Sequence, residues 1–318
     1  MTTRRLRDTK SSRWSGLGDV CVGGTTLKNP IMTASGTAGH GVELAPYMPL
    51  DALGGVVVKS LYHTEWPGNP APRVHLTPSG MINAVGLQGP GVTRWLEEEL
   101  PQLIEHDATV IASIWGRSVS DYAQAAEMLR GVPSNVVALE VNLSCPNLEG
   151  RSSIFAHDPA LSAEVITASK VSGLPVWAKL SANTDRIVDI ASAVSDAGAS
   201  AVTLINTMLG MQITAQGKPS LGNGGGGVSG PAIHPIAVRA IYDVASAHPN
   251  LDIIGVGGIA TGEDVIEMLM AGAKAVQVGT ATFADPRAAH KILHQAARQL
   301  HRQGVVRWSD IVAIAHRQ

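Results

Sequence analysis

The chain has 318 residues, with 24 basic against 26 acidic side chains and a formal charge of −2, a balance that argues against a nucleic-acid or membrane-surface binder. Its two cysteines, Cys21 and Cys145, cannot build a disulfide framework, and no Cys/His spacing suits zinc or an iron–sulfur cluster, so no metal is expected. Phe and Tyr are scarce, Gly numbers 34 and the remaining apolar residues are mostly Ala, Val, Ile and Leu, as in an α/β protein with many tight strand-to-helix turns.

Taken in chain order, residues 1–16 read as a flexible arm, basic and polar without the apolar stretch of a signal peptide. No apolar run reaches the roughly 18 residues of a membrane helix, and the expected location is cytoplasmic. Residues 19–27 alternate weakly around Gly23-Gly24 and predict a short hairpin lid. Eight short apolar runs follow, at 30–34, 55–58, 109–114, 136–141, 175–180, 201–205, 253–256 and 275–278, each ending in small or polar residues. Most are separated by segments of helical period. Residues 121–129 put Tyr122, Ala125, Ala126 and Leu129 on one face, and residues 187–197 do the same with Ile187, Ile190, Ala191 and Val194. Asp158-Pro159, Asp285-Pro286 and the pair Thr261 and Asp264 mark helix starts. Gly198 and Gly272 mark helix ends.

Continuous apolar strands alternating with amphipathic helices imply a parallel sheet covered by helices. Eight such units fit a closed (β/α)₈ barrel, one domain over residues 1–318, better than an open sheet. Its catalytic face is then the C-terminal end of the strands. The runs end in Ser35-Gly36, Lys59-Ser60, Ser113, the stretch 142–147, Lys179, Asn206-Thr207, Gly257-Gly258 and Gly279-Thr280: lysines, amides, hydroxyls, a thiol and glycines, with no carboxylate. A strand-end lysine is ordinarily a solvated charge, but lysines closing V-V-V-K and V-W-A-K are better read as functional. The last two glycine-containing ends, with Thr261 opening a helix after the first, suit a phosphate held by backbone N–H groups. Long insertions at 61–92 and 208–230 read as lids or substrate walls on the same face, although 222–227 alone reads equally as a linker.

The stretch V-N-L-S-C-P-N (141–147) follows an apolar strand and sets Cys145 where Pro146 forbids further ladder bonding. A free cysteine is usually a small buried hydrophobe. Here Asn142, Ser144 and Asn147 surround it with groups suited to holding a planar polar ring, and Cys145 stands where an active-site base would be held.

With these residues placed, the sequence resembles the class 1 dihydroorotate dehydrogenases, the soluble FMN enzymes of pyrimidine synthesis, from about residue 19 to past 285. The resemblance rests on ordered motifs: L-K-N-P-I-M-T-A-S-G-T (27–37), V-V-K-S (57–60), G-N-P-x-P-R (68–73), N-A-V-G-L-Q (83–88), N-L-S-C-P-N (142–147), L-I-N-T (204–207) and S-G-P-A-I-x-P-I-A (229–237). It implies FMN over the barrel mouth, its phosphate on Gly257, Gly258, Gly279 and Thr280, with Ser35, Lys59, Ser60, Ser113, Asn142, Lys179, Ile205 and Gly230 lining the rest. It implies dihydroorotate or orotate on Lys59, Asn83, Ala84, Val85, Gly86, Leu87, Asn142, Asn147, Asn206 and Thr207. Cys145 would take the C5 proton while flavin N5 takes the C6 hydride, and Lys179 would lie at the flavin N1 edge.

Within the class, G-L-Q-G-P-G-V (86–92) is closer to the 1B heterotetramers, in which a subunit with FAD and an iron–sulfur cluster joins a homodimer and passes electrons to NAD, than to fumarate-using 1A homodimers. No G-x-G-x-x-G follows a strand, so direct NAD binding is not expected. Ser113, Gly89, Ala182 and residues 151–158 depart from the family pattern. Two rival readings are the FMN-containing part of a dihydropyrimidine dehydrogenase, which usually has histidine where Asn147 stands, and a phosphate-binding barrel without flavin.

Overall fold

Strands that are buried on both faces need cover on both faces, and this chain supplies it by rolling its sheet into a ring inside a shell of helices. The computed structural model describes residues 15–144 and 155–317. In chain order the strands are β1 (Val20–Val22), β2 (Thr25–Leu27), β3 (Ile31–Thr33), β4 (Val56–Val57), β5 (Val74–Thr77), β6 (Gly80–Asn83), β7 (Val110–Ile114), β8 (Val136–Asn142), β9 (Val176–Lys179), β10 (Ala201–Leu204), β11 (Met208–Gly210), β12 (Gly226–Ser229), β13 (Ile253–Val256) and β14 (Ala275–Val278). Eight of them, β3, β4, β7, β8, β9, β10, β13 and β14, pair side by side in parallel, with β14 returning to β3. A 2.8 Å bond from Gly54 N–H to Ile31 O and a parallel bridge between Met32 and Gly55 close the ring between β3 and β4. This is the (β/α)₈ barrel the sequence predicts, and the eight apolar runs are its eight strands.

The helix signals are mostly realised. Ile187–Asp196 buries Ile187, Ile190, Ala191 and Val194, and Val119–Glu127 buries Tyr122, Ala125 and Ala126. Ser118 and Thr261 each form a capping box with an aspartate three residues on, and Asp158 accepts from the N–H groups of Ala160 and Leu161 ahead of Pro159–Ser169. Each such cap stabilises its helix by about 1 kcal/mol. Asp285 behaves differently. Its carboxylate accepts the Arg287 N–H at 3.0 Å, a local turn that holds the chain out of the helix until Ala288, where the long helix Ala288–Arg302 begins.

The antiparallel hairpin β1–β2 expected from the sequence is present, and its contacts show which end of the barrel it covers. Gly23 accepts from the Trp177 indole (3.0 Å) and donates to Asp252 (2.8 Å), while the Thr25 hydroxyl donates to Val137 O (3.2 Å). Val137, Trp177 and Asp252 stand at the N-terminal ends of β8, β9 and β13, so the hairpin covers the opposite end of the barrel. The Gly23-Gly24 turn permits this, because a side chain on Gly23 would collide with the indole.

The two insertions lie over the catalytic face and are paired with each other. They meet as a four-stranded antiparallel sheet ordered β11-β12-β6-β5, with Gly227 opposite Asn83 and Met208 opposite Val228. Residues 226–227, readable in sequence as linker, are strand because only glycine fits there: a Cβ on Gly226 would lie 2.4 Å from Asn83 O. Among the described residues no helix is long and apolar enough to cross a membrane.

Candidate active site

A cavity of about 690 Å³ opens at the C-terminal ends of the barrel strands, beneath the β11-β12-β6-β5 sheet, large enough for a cofactor together with a small substrate. Ser35, Lys59, Ser60, Asn142, Lys179, Ile205, Asn206, Thr207, Gly257, Gly258, Gly279 and Thr280 line it, and so does the whole run Asn83, Ala84, Val85, Gly86 and Leu87. A single ring of strand ends supplies its floor and the two insertions its wall. Ser113 and Gly230 stand one layer back. Ser113 is fully buried with its hydroxyl 2.9 Å from Ser60 Oγ, and Gly230 packs between Gly80 and Gly258. Cys145 and Asn147 lie outside the described residues. Ser144, which precedes them, lines the cavity and donates its N–H to Asn142 Oδ1 at 3.2 Å.

Among the described residues, the wall contains no Asp or Glu, and its two charges are Lys59 and Lys179. Burial, and then the nearby Arg73 guanidinium, pull the Lys59 pKa below the ordinary lysine value. Lys179 donates to Ser35 Oγ at 2.9 Å, and its Nζ stands 3.6 Å from Glu140 Oε1. Glu140 is completely buried on β8, two residues before Asn142, so both side chains point into the barrel. Its Oε2 accepts from Thr203 Oγ1 at 3.1 Å and from Gln277 Nε2. The carboxylate-free strand ends read in the sequence therefore sit on a polar floor that contains one acid. Sequence reasoning passed over Glu140 because A-L-E-V reads as an apolar run; its period-two spacing from Asn142 was the available signal.

Amides dominate the substrate side. Asn142 Oδ1 accepts from Asn206 Nδ2 (3.1 Å), its backbone oxygen accepts from the Tyr122 hydroxyl (2.7 Å), and Asn206 Oδ1 accepts from Thr207 N–H (2.7 Å). Each amide is oriented before a ligand arrives. The 83–87 wall is held from outside by the segment after β4. Trp66 Nε1 donates to Gly86 O (3.0 Å), Asn69 Nδ2 to Ala84 O and Asn69 N–H to Val85 O (both 3.1 Å). Asn69 and Asn183 line the cavity as well. Asn69 lay inside a quoted motif without a role, and nothing in the spacing around Asn183 singled it out.

These residues fit FMN. An anionic phosphate and an anionic carboxylate suit a wall whose only charges are lysines, and the ends of β13 and β14 offer backbone free of side chains. At Gly258 (φ +69°) a Cβ would lie 2.7 Å from His234 Cβ, so only glycine lets this loop pack as it does. The expectation that the Thr261 helix start assists the phosphate needs correcting: Asp264 Oδ2 already takes the N–H groups of Ala260 and Thr261, and Thr261 takes that of Asp264. Of the residues expected to meet the phosphate, Gly257, Gly258, Gly279 and Thr280 line the cavity.

Comparison with known proteins agrees with this chemistry. The family model described as Dihydroorotate dehydrogenase matches residues 19–300. The chain is 47% identical to a protein of Desulforudis audaxviator over 300 residues, covering 94% of this chain and 97% of that one. It is 48% identical over 283 residues to one from Anoxybacillus flavithermus (88% and 90%) and 49% over 265 residues to one from Geobacillus kaustophilus (83% and 84%). Each relative is named the catalytic subunit of dihydroorotate dehydrogenase B (NAD(+)). This barrel, with two lysines in the cavity at its strand ends and a chain matched over residues 19–300, belongs to the dihydroorotate dehydrogenase family.

Proposed function

We propose that this chain is the catalytic subunit of an NAD-linked dihydroorotate dehydrogenase, which oxidises (S)-dihydroorotate to orotate in the synthesis of UMP. Two such chains would form a homodimer, joined by a second subunit carrying FAD and an iron–sulfur cluster into a cytoplasmic heterotetramer. The observation that carries the reading is the cavity itself: preoriented amides and two lysines, without a lining carboxylate among the described residues, at the C-terminal face of the barrel.

When bound, FMN supplies the acceptor for the substrate's C6 hydride. The protein's own groups do the rest. Lys59 answers the substrate carboxylate. Asn83, Asn142 and Asn206 can each donate and accept, which matches the alternating ring N–H and C=O groups of a dihydropyrimidine. Cys145 takes the C5 proton. An ordinary thiol has a pKa near ~8.5, so positive surroundings are needed to raise its thiolate share at neutral pH. Lys179 holds positive charge where the flavin becomes anionic on reduction.

The test is anaerobic mixing of the FMN-loaded chain with dihydroorotate or dihydrouracil. Dihydroorotate should bleach the flavin and dihydrouracil should not. Bleaching by dihydrouracil alone, or by neither, would overturn the reading.

A further inference from the structure

Resting on the FMN reading, with Lys179 beside the reduced flavin, we propose that Glu140 is a positioning residue that partly neutralises Lys179 and thereby sets how readily the flavin accepts electrons. Glu140 is the only acidic residue that is buried among the described residues. It does not itself line the cavity, though it contacts the lining residue Lys179, and nothing in the oxidation itself employs it. Its surroundings are polar. The Gln277 amide and the Thr203 hydroxyl donate to Oε2, and the Lys179 ammonium faces Oε1. A carboxylate is acceptor-only; both hydrogen-bond donors go to Oε2, while Oε1 has no hydrogen-bond partner and faces the ammonium as an ion pair at 3.6 Å.

The arrangement also fixes where the lysine goes. Lys179 is 4% exposed, and its Nζ is shared between Ser35 Oγ at 2.9 Å and Glu140 Oε1 at 3.6 Å. Neighbouring registers bring these groups together: Asn142 stands opposite Lys179 on β8 and β9, and Thr203 opposite Lys179 on β9 and β10. Gln277 reaches Glu140 from β14, across the inside of the barrel. Four strands thus converge on one buried ion pair below the cavity. In so poorly solvated a place each charge acts strongly on the other and on whatever lies above them.

The sign follows directly. With Glu140 charged, the positive field that Lys179 presents to the ring is diminished. Replacing the carboxylate by the isosteric amide removes the opposing charge and leaves the cation, so the anionic reduced flavin is stabilised. Glu140→Gln holoprotein should bind sulfite, which adds to flavin N5 and leaves the ring anionic, roughly tenfold or more tightly than wild type. A tenfold change corresponds to ~30 mV for a two-electron couple, and the midpoint potential should move positive by at least that. Lys179→Met should move both readouts the other way. Glu140→Asp keeps the charge but withdraws it by one methylene, and should fall between wild type and the Gln variant.

The outcomes separate the two levels of the argument. If Lys179→Met leaves potential and sulfite affinity unchanged, the placement of Lys179 by the flavin is wrong. If Lys179→Met shifts them and Glu140→Gln does not, the role assigned to Glu140 is wrong. Should the Gln variant yield no holoprotein, the Asp variant decides: an unchanged potential and sulfite affinity there overturns the proposal.

Discussion

Lys59 is the residue on which substrate affinity and pH meet. Its pKa is lowered by burial and by Arg73, so it loses its proton at a lower pH than an exposed lysine would. A substrate carboxylate favours the charged ammonium. Orotate affinity should therefore fall as pH rises through this depressed pKa, and binding in that range should take up a proton. The dissociation constant measured by flavin perturbation across the alkaline range checks this, and Lys59→Met should weaken binding and flatten the profile; an unaltered alkaline limb in that variant would assign the titration elsewhere. The thiol makes the second prediction at this scale. Removing a general base typically costs on the order of 10²–10⁴ in rate, so Cys145→Ala should slow flavin reduction by that factor while FMN stays bound, as read by stopped-flow absorbance. Reduction at the wild-type rate would remove Cys145 from the chemistry. Residues such as Lys59 and Asn142 were legible in the sequence because a polar group closing an apolar strand is conspicuous. Glu140 was not, because it stands inside an apolar run rather than at its end.

At the scale of elements, the barrel and the mouth sheet differ in how much of them the sequence states. Each barrel strand is a local apolar run, and several of the following helices carry their own side-chain caps, so neighbours along the chain are neighbours in space. The mouth sheet has none of this. Its strands are three or four residues long, two of the four residues of β12 are glycine, and its pairing joins segments over 140 residues apart. What defines it is backbone contact rather than side-chain pattern, which no periodicity reports. The hairpin was recognisable as a hairpin, but which end of the barrel it closes depends on Trp177 and Asp252, far along the chain. Gly226 is the place to test the mouth sheet. In Gly226→Ala the new methyl would meet the Asn83 carbonyl, a backbone atom that cannot turn aside, so β12 should part from β6 and carry Asn83 with it. The KM for dihydroorotate should rise several-fold, while far-UV circular dichroism and FMN content stay at wild-type levels. An unaltered KM would show that this sheet does not shape the substrate wall.

The whole molecule has one broad cavity at one end and a hairpin pressed over the other, and this bears on how electrons leave. Oxidation of each substrate would leave two electrons inside the cavity, and a small acceptor can collect them at its open mouth. Val74, Leu209 and Phe283 border that opening. All three line the cavity and are also exposed to solvent, Leu209 at 66% and Phe283 at 59%. No G-x-G-x-x-G directly follows a strand in the sequence, and the occupants proposed for the cavity are a flavin and a pyrimidine. The chain by itself should then be half of an oxidoreductase: able to take electrons from dihydroorotate, and unable to give them to NAD. A small artificial dye can collect electrons at the mouth, whereas NAD needs a protein that brings its own redox groups there. Purified FMN-loaded chain supplied with dihydroorotate should reduce the dye and leave both NAD and fumarate untouched. Adding the second subunit should start NAD reduction with little change in the dye rate. NAD reduction by the isolated chain at the dye's rate would remove the need for a partner, and fumarate reduction would mark a self-sufficient homodimer. The three acceptors, run side by side on one preparation, distinguish these arrangements by which of them gains electrons.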